Sequence, residues 1–338
     1  MSEAVTQAKS EYSAVRDGRA GVIDLSSRGR IIVSGSEAVP FLNGLITNDM
    51  KTLAANSWMP AAFANVQGRL LAVVRVLNLN DHFLIDTETA TRSKVFDLLS
   101  RFTLAGDFRV ADATGEIASF SLQGRAAADI VSDVFGDVAG NLERAKVLST
   151  PFRESMVTIL QATHTGEAGF DLLLNVDKAT ELQRALIDAG GIIVGEDVSE
   201  ILRIEAGISR YGVDMDETTV LNETNLDDAV SFTKGCYIGQ EIVVRILHRG
   251  HVAKKLTGIV LDEQAELPSG TKILSDGDQE IGRVTSSTAS PRLQRTIALA
   301  YIKYDYLTPG TRIRVAGTTG VVTELPFVRG SWYQGLAA

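Results

Sequence analysis

Apolar residues fall in short runs punctuated by glycine, asparagine and aspartate, and the runs alternate between strand-like and helix-like spacing. In the first third, GRIIVSG (29–35), WMPAAFANV (58–66), RLLAVVRVLNL (69–79) and HFLID (82–86) read as strands, with turns at Gln67-Gly68 and Asn80-Asp81. Ser36 is expected to cap a short helix over SEAVPFLNG, closed by Gly44. TATRSKVFDLLSRFTL (89–104) reads as an amphipathic helix.

A second unit of the same texture begins near Glu116. IASFSL, MVTILQAT and FDLLLNV read as strands, with a turn at HTGEAG, while RAAADIVSDVF and KATELQRALIDAGG read as helices. Hairpins alternating with helices predict antiparallel sheets with helices on one face. From Lys254 onward only short strands recur, separated by Pro268-Ser269-Gly270, Asp276-Gly277, Pro309-Gly310 and Gly317-Thr318-Thr319-Gly320, the pattern of a small β-barrel or sandwich. The expected fold class is therefore α+β. Its units are an N-terminal lobe over 1–112, a second α+β lobe over 113–253 and an all-β unit over 254–338.

Two helices carry candidate chemistry. In GEDVSEILRIEAGISRYG, Asp197 and Glu200 mark a helix start, and Val198, Leu202 and Glu205 follow at i, i+4 and i+7. A carboxylate on that apolar stripe must be paired or must meet a polar ligand. Arg203, Arg210 or another basic residue fits the first reading. A ring N–H beside an amino group, as a pterin offers, fits the second. In FTKGCYIGQEIVVRI (232–246), Ile238, Ile242, Val243, Ile246 and Leu247 fall at helical spacing, and Gly250 can end the helix. KGCY is then the loop feeding that helix, with Cys236 outside it and exposed. Lys234 and the helix N-terminus both favour a thiolate, whereas a small buried cysteine beside two turn glycines is the plainer alternative.

Composition narrows the classes. The 338 residues carry a formal net charge of -9, which argues against nucleic acid or an anionic membrane as the main partner. The N-terminus has no apolar targeting segment and no run reaches the ~20 residues of a membrane span, so a cytoplasmic location is expected. One cysteine cannot build an intrachain disulfide or a Cys-ligated metal site of about four ligands. His248 and His251 form an H-x-x-H with no acidic partner in a metal pattern, and no metal is expected.

At these residues the chain resembles the YgfZ-type folate-binding proteins, a branch of the glycine-cleavage T-protein (aminomethyltransferase) superfamily. The K-G-C-Y-x-G-Q-E signature stands intact as Lys234, Gly235, Cys236, Tyr237, Gly239, Gln240 and Glu241. FLNGLITNDM, TGEAGFDLLL, GRVTSSTASP and IALAYI are similar to further segments of the superfamily. The resemblance implies two α+β lobes and a C-terminal β-barrel around a central folate channel, with tetrahydrofolate or a derivative as cofactor. It places Glu205 against the pterin and Lys234, Tyr237, Gln240 and Arg245 around the ligand. It also implies a role in assembling or repairing iron–sulfur clusters of client enzymes, including tRNA-modifying ones, with Cys236 as the working thiol. T-proteins carry an aspartate pair in the strand that QGRLLAVVRV resembles, and Leu71 and Ala72 stand where those acids would be. Gln240 likewise replaces a T-protein arginine. The folate pocket is expected to persist without aminomethyl transfer, a folate-dependent one-carbon enzyme being the alternative.

Overall fold

The computed structural model describes residues 3–104 and 106–334, with the backbone alone described for 3–5 and 247–249. Three β-layers organise them. A five-stranded antiparallel sheet joins Ser57–Ala64, Leu70–Asn78, Phe83–Thr87, Gly29–Ser34 and Arg109–Asp112 in that order. The helices Ala38–Leu45 and Arg92–Ser100 cover one face, burying Leu42, Val95 and Leu99 against Ile31, Val74 and Ile85. A six-stranded sheet centres on Ile117–Gln123 and Gly169–Asn175. The strands from Lys254 to Thr323 close into a six-stranded barrel, as the turn spacing predicts.

The six-stranded sheet departs from the expected division of the chain. Gly21–Asp24 pairs antiparallel with Ile117–Gln123 and parallel with Ile192–Ile193, so the N-terminal segment belongs with the second lobe. GVID is too short to declare its partner by periodicity, and its partners lie far along the sequence. The first sheet is thus inserted between two strands of the second.

Smaller expectations also change. The helix over the SEAVPFLNG stretch begins at Ala38 with Glu37, not Ser36, at the N-cap and no side-chain cap, while the Ser36 amide donates to Asp107 Oδ2 at 2.8 Å. Gly44 lies within its last turn rather than after it.

The two sheets meet across a mixed layer. Trp58, Leu77 and Leu84 of the first pack against Val147, Leu160 and Leu173 of the second. Beside this apolar patch, Arg75 bridges the sheets, its guanidinium 2.6 Å from Asp86 and 2.5 Å from Asp171. Arg30 and Arg28 also pair with Asp86, and His164 Nε2 lies 3.0 Å from Asp171. Burial opposes ionisation of both aspartates. For Asp171 the charges of His164 and Arg75 win, and for Asp86 those of Arg28, Arg30 and Arg75, so both carboxyls are held below the usual carboxylate range. Among the described residues no helix is long and apolar enough to cross a membrane, and no group of three or more His, Cys, Asp or Glu could hold a metal ion. The His248 side chain lies outside the described residues.

Candidate functional site

The KGCY loop sits on the FLNGLITNDM segment, two stretches that are far apart in sequence. Thr47 Oγ1 donates to the Ala229 carbonyl at 2.6 Å, the Ser231 amide donates to the Thr47 carbonyl, and Asn48 Nδ2 donates to the Asp228 carbonyl at 3.0 Å. Lys234 completes the junction. Its buried ammonium donates to the carbonyls of Asn43, Ile46 and Asn48 at 2.7, 2.9 and 2.7 Å. All three ammonium protons therefore have backbone acceptors. Burial lowers the Lys234 pKa to about 8, while the three carbonyls favour its charged form. The lysine expected to serve a thiol or a ligand is a clamp between two loops.

The loop so held presents Cys236 to solvent. Gly235 has open space beside it. Gly239 adopts φ +87, and a Cβ there would collide with the Asn65 carbonyl, so the left-handed turn into the helix requires glycine. The helix then runs Gln240–Arg249 with Gly250 at its C-cap, as the spacing predicts. Val243 is buried against Leu70 and Leu221, while Arg245 is exposed and Gln240 half-buried. Tyr237 points inward. Its hydroxyl is buried with no hydrogen-bond partner, its ring lies 5.1 Å from Lys234 Nζ, and desolvation raises its pKa to about 12. An orphaned buried phenol forfeits roughly 1–3 kcal/mol relative to a satisfied one.

Glu205 is in a different cluster. Fully buried at the end of the helix Glu196–Glu205, its carboxylate accepts from Tyr12 Oη at 2.9 Å, Arg16 at 2.9 and 3.2 Å and Ser290 Oγ at 2.5 Å. A carboxylate offers about four lone-pair sites, and protein groups fill them. The partner is Arg16 of the N-terminal helix; Arg203 turns instead to Glu200 and Asp214 at 2.6 and 2.7 Å. Arg16 also reaches Glu167 of the TGEAGF loop at 3.0 Å, and Glu167 accepts from the amide and hydroxyl of Ser331. The glycines of that loop have a packing reason: Gly166 at φ +79 sits against Ala206. Tyr12, Arg16 and Ser290 carried no signal in local spacing, because each meets Glu205 across two elements.

At the strand Leu70–Asn78, Ala72 is buried in the first lobe's core, and Leu71, at a register shift opposite Phe63 and Ala64, is half-buried against that same core. Neither side chain can accept or donate a proton. Arg75 follows Val73 on the other face of the strand and carries the bridge to Asp171.

Comparison with known proteins agrees with this architecture. The GCVT N-terminal domain model matches residues 2–234, and the Glycine cleavage T-protein C-terminal barrel domain model matches 254–329. An aminomethyltransferase of Halothermothrix orenii is 31% identical over 327 residues, covering 94% of this chain and 90% of that protein. An aminomethyltransferase of Rubrobacter xylanophilus is 32% identical over 326 residues, covering 95% and 86%. The crystal structure of glycine cleavage system aminomethyltransferase T from Bartonella henselae superposes with a TM-score of 0.87 at 23% identity, covering 95% of this chain and 90% of that one, a likeness of fold.

Proposed function

Because this chain belongs to the glycine-cleavage T-protein (aminomethyltransferase) family, we propose that it binds tetrahydrofolate or a derivative and acts, as a YgfZ-type member, in the assembly or repair of iron–sulfur clusters through Cys236. The observation that carries this reading is an exposed thiol on a loop clamped by Lys234, Thr47 and Asn48.

In this reading the thiol meets a cluster held mainly by a partner protein. Cys236 gives up its proton to water and lends one sulfur ligand to an iron atom, a step that needs no electron transfer. The loop keeps the sulfur at the surface and limits the conformational freedom lost on docking. The folate-facing group is the Tyr237 hydroxyl, which lacks a partner in the protein and can donate to a ligand acceptor. Gln240, the first residue of the following helix, and Arg245, in its second turn, supply further polar contact. Glu205 enters in a changed role: with its acceptor sites filled by Tyr12, Arg16 and Ser290, it fixes the wall rather than receiving the pterin.

A strain lacking this protein tests the reading. Its [4Fe–4S] enzyme activities should fall, recover with the wild-type chain and stay low with Cys236→Ser. Full rescue by the serine variant sinks the role of the thiol. Calorimetric titration with tetrahydrofolate tests the cofactor separately, and Tyr237→Phe should weaken that binding.

A second reading, folate-dependent one-carbon transfer, is favoured by the aminomethyltransferase names of relatives that match nearly end to end. Against it stand Leu71 and Ala72, since general acid–base help is worth about 10²–10⁴-fold in rate. Formation of methylenetetrahydrofolate from an aminomethylated carrier protein, at rates near those of an active aminomethyltransferase, would establish this reading instead.

A further inference from the structure

A cavity of about 650 Å³ opens between the loop 212–219 and the outer face of the barrel, away from Cys236 and Glu205. Its size is that of a site for a drug-sized molecule. Its barrel wall is cationic, although the chain as a whole carries -9. Lys254 and Lys303 are register partners on adjacent antiparallel strands, so their side chains leave the same face a few ångströms apart. Arg283 is the register partner of Tyr301 on the next strand, and Lys254 Nζ lies 4.9 Å from the Tyr301 ring centre.

Like charges placed directly opposite destabilise a sheet unless something lies between them. Among the described residues the offset is partial: Asp216 and Glu223 feel the Lys254 charge, but neither bridges the two lysines. Lys303 donates only to the Glu280 carbonyl at 2.7 Å, and Lys254 comes no nearer a carboxylate than 4.0 Å, at Glu223. The acids that line the cavity have other partners, some of them within the lining, which leaves Lys254 and Lys303 as its free cations among the described residues. Asp214 holds Arg203 and Thr285, Asp216 accepts from the amide and hydroxyl of Thr218, and Glu280 pairs with Lys272 and Arg283. Across from the lysines, Val213 and Met215 supply an apolar side.

We propose that this cavity binds a small molecule with an anionic head, phosphate or carboxylate, seated between Lys254 and Lys303, and an apolar or aromatic body against Tyr301, Val213 and Met215. The site does not depend on the role of Cys236.

Titration calorimetry of the full chain with adenosine monophosphate, phthalate and adenosine tests this. Wild type should bind at least one anion saturably and leave adenosine unbound. Binding of the nucleotide alone identifies a phosphate head, and binding of phthalate alone a carboxylate head. Lys254→Gln with Lys303→Gln should weaken that binding at least about tenfold, the equivalent of roughly 1.4 kcal/mol. The same pair of changes removes like-charge repulsion, so the melting temperature of the ligand-free variant should not fall, which separates lost binding from lost folding. Failure of both anions to bind wild type, or unchanged binding in the double variant, overturns the proposal.

Discussion

Arg16 and Glu205 stand 189 residues apart in the chain and 2.9 Å apart in the fold, each almost wholly buried. The pair ties the N-terminal helix to the helix Glu196–Glu205, which packs on the barrel, and Ser290 of the barrel completes the carboxylate's shell. Arg16→Met leaves that carboxylate buried without its countercharge. The expected loss is about 3–5 kcal/mol, read as the shift in urea midpoint. Arg16→Met with Glu205→Gln should recover part of it, because the stranded charge is then gone. A single variant as stable as wild type would remove the pair from the structural account.

Gly239 is the one residue of the KGCYIGQE stretch whose backbone demands glycine. Ala at φ +87 carries about 1–2 kcal/mol of strain, and its methyl also meets the Asn65 carbonyl. Gly239→Ala should therefore destabilise by at least that amount. Gly235→Ala, with open space at its Cβ, should stay within about 0.5 kcal/mol. Equal midpoints in denaturant for the two variants would contradict the assignment.

The aspartates between the sheets set an acid limit. Asp86 and Asp171 have folded pKa values depressed below the unfolded reference of about 3.9. A depressed carboxyl contributes stability that is fully present above the unfolded pKa and is lost as pH falls toward the folded one. The contribution should be intact at neutral pH and fade below about pH 4. Asp171→Asn should lower stability at neutral pH and flatten the acid limb of a melting-temperature profile. An acid limb of unchanged slope would locate the acid sensitivity elsewhere.

Cys236 makes no hydrogen bond that holds the fold, and its exposure predicts ready alkylation of the native protein by iodoacetamide. Cys236→Ser should change unfolding free energy by no more than about 0.5 kcal/mol, the range of ordinary surface substitutions. Resistance to alkylation until denaturant is added would show a packed thiol instead.

Local signals were the legible ones. The helix Gln240–Arg249, its glycine stop and the six barrel strands follow from spacing and turn residues, which act between near neighbours. The exposure of Cys236 follows from its place just outside that helix. Long-range partners were not legible. Lys234 reads as a cation that serves a thiolate or a ligand until the carbonyls of Asn43, Ile46 and Asn48 arrive from another lobe. Glu205 reads as a carboxylate that needs a base or a ligand, but which one is not visible until Tyr12, Arg16 and Ser290 converge on it. The motif FLNGLITNDM was visible, but its work of seating the KGCY loop depends on a contact across about 180 residues.

The pairing of Gly21–Asp24 with Ile117–Gln123 and Ile192–Ile193 constrains how the protein is made. A nascent chain leaves the ribosome N-terminus first, yet this first strand has no neighbour until Ile117–Gln123 emerges, and its other edge stays open until Ile192–Ile193 follows. The stretch from Gly29 to Asp112 holds its own complete sheet and can close while the opening strand waits. Folding during synthesis therefore runs from the inserted sheet outward. A ribosome stalled far enough past residue 112 for Arg109–Asp112 to have cleared the exit tunnel should carry a protease-resistant core that excludes the first 24 residues.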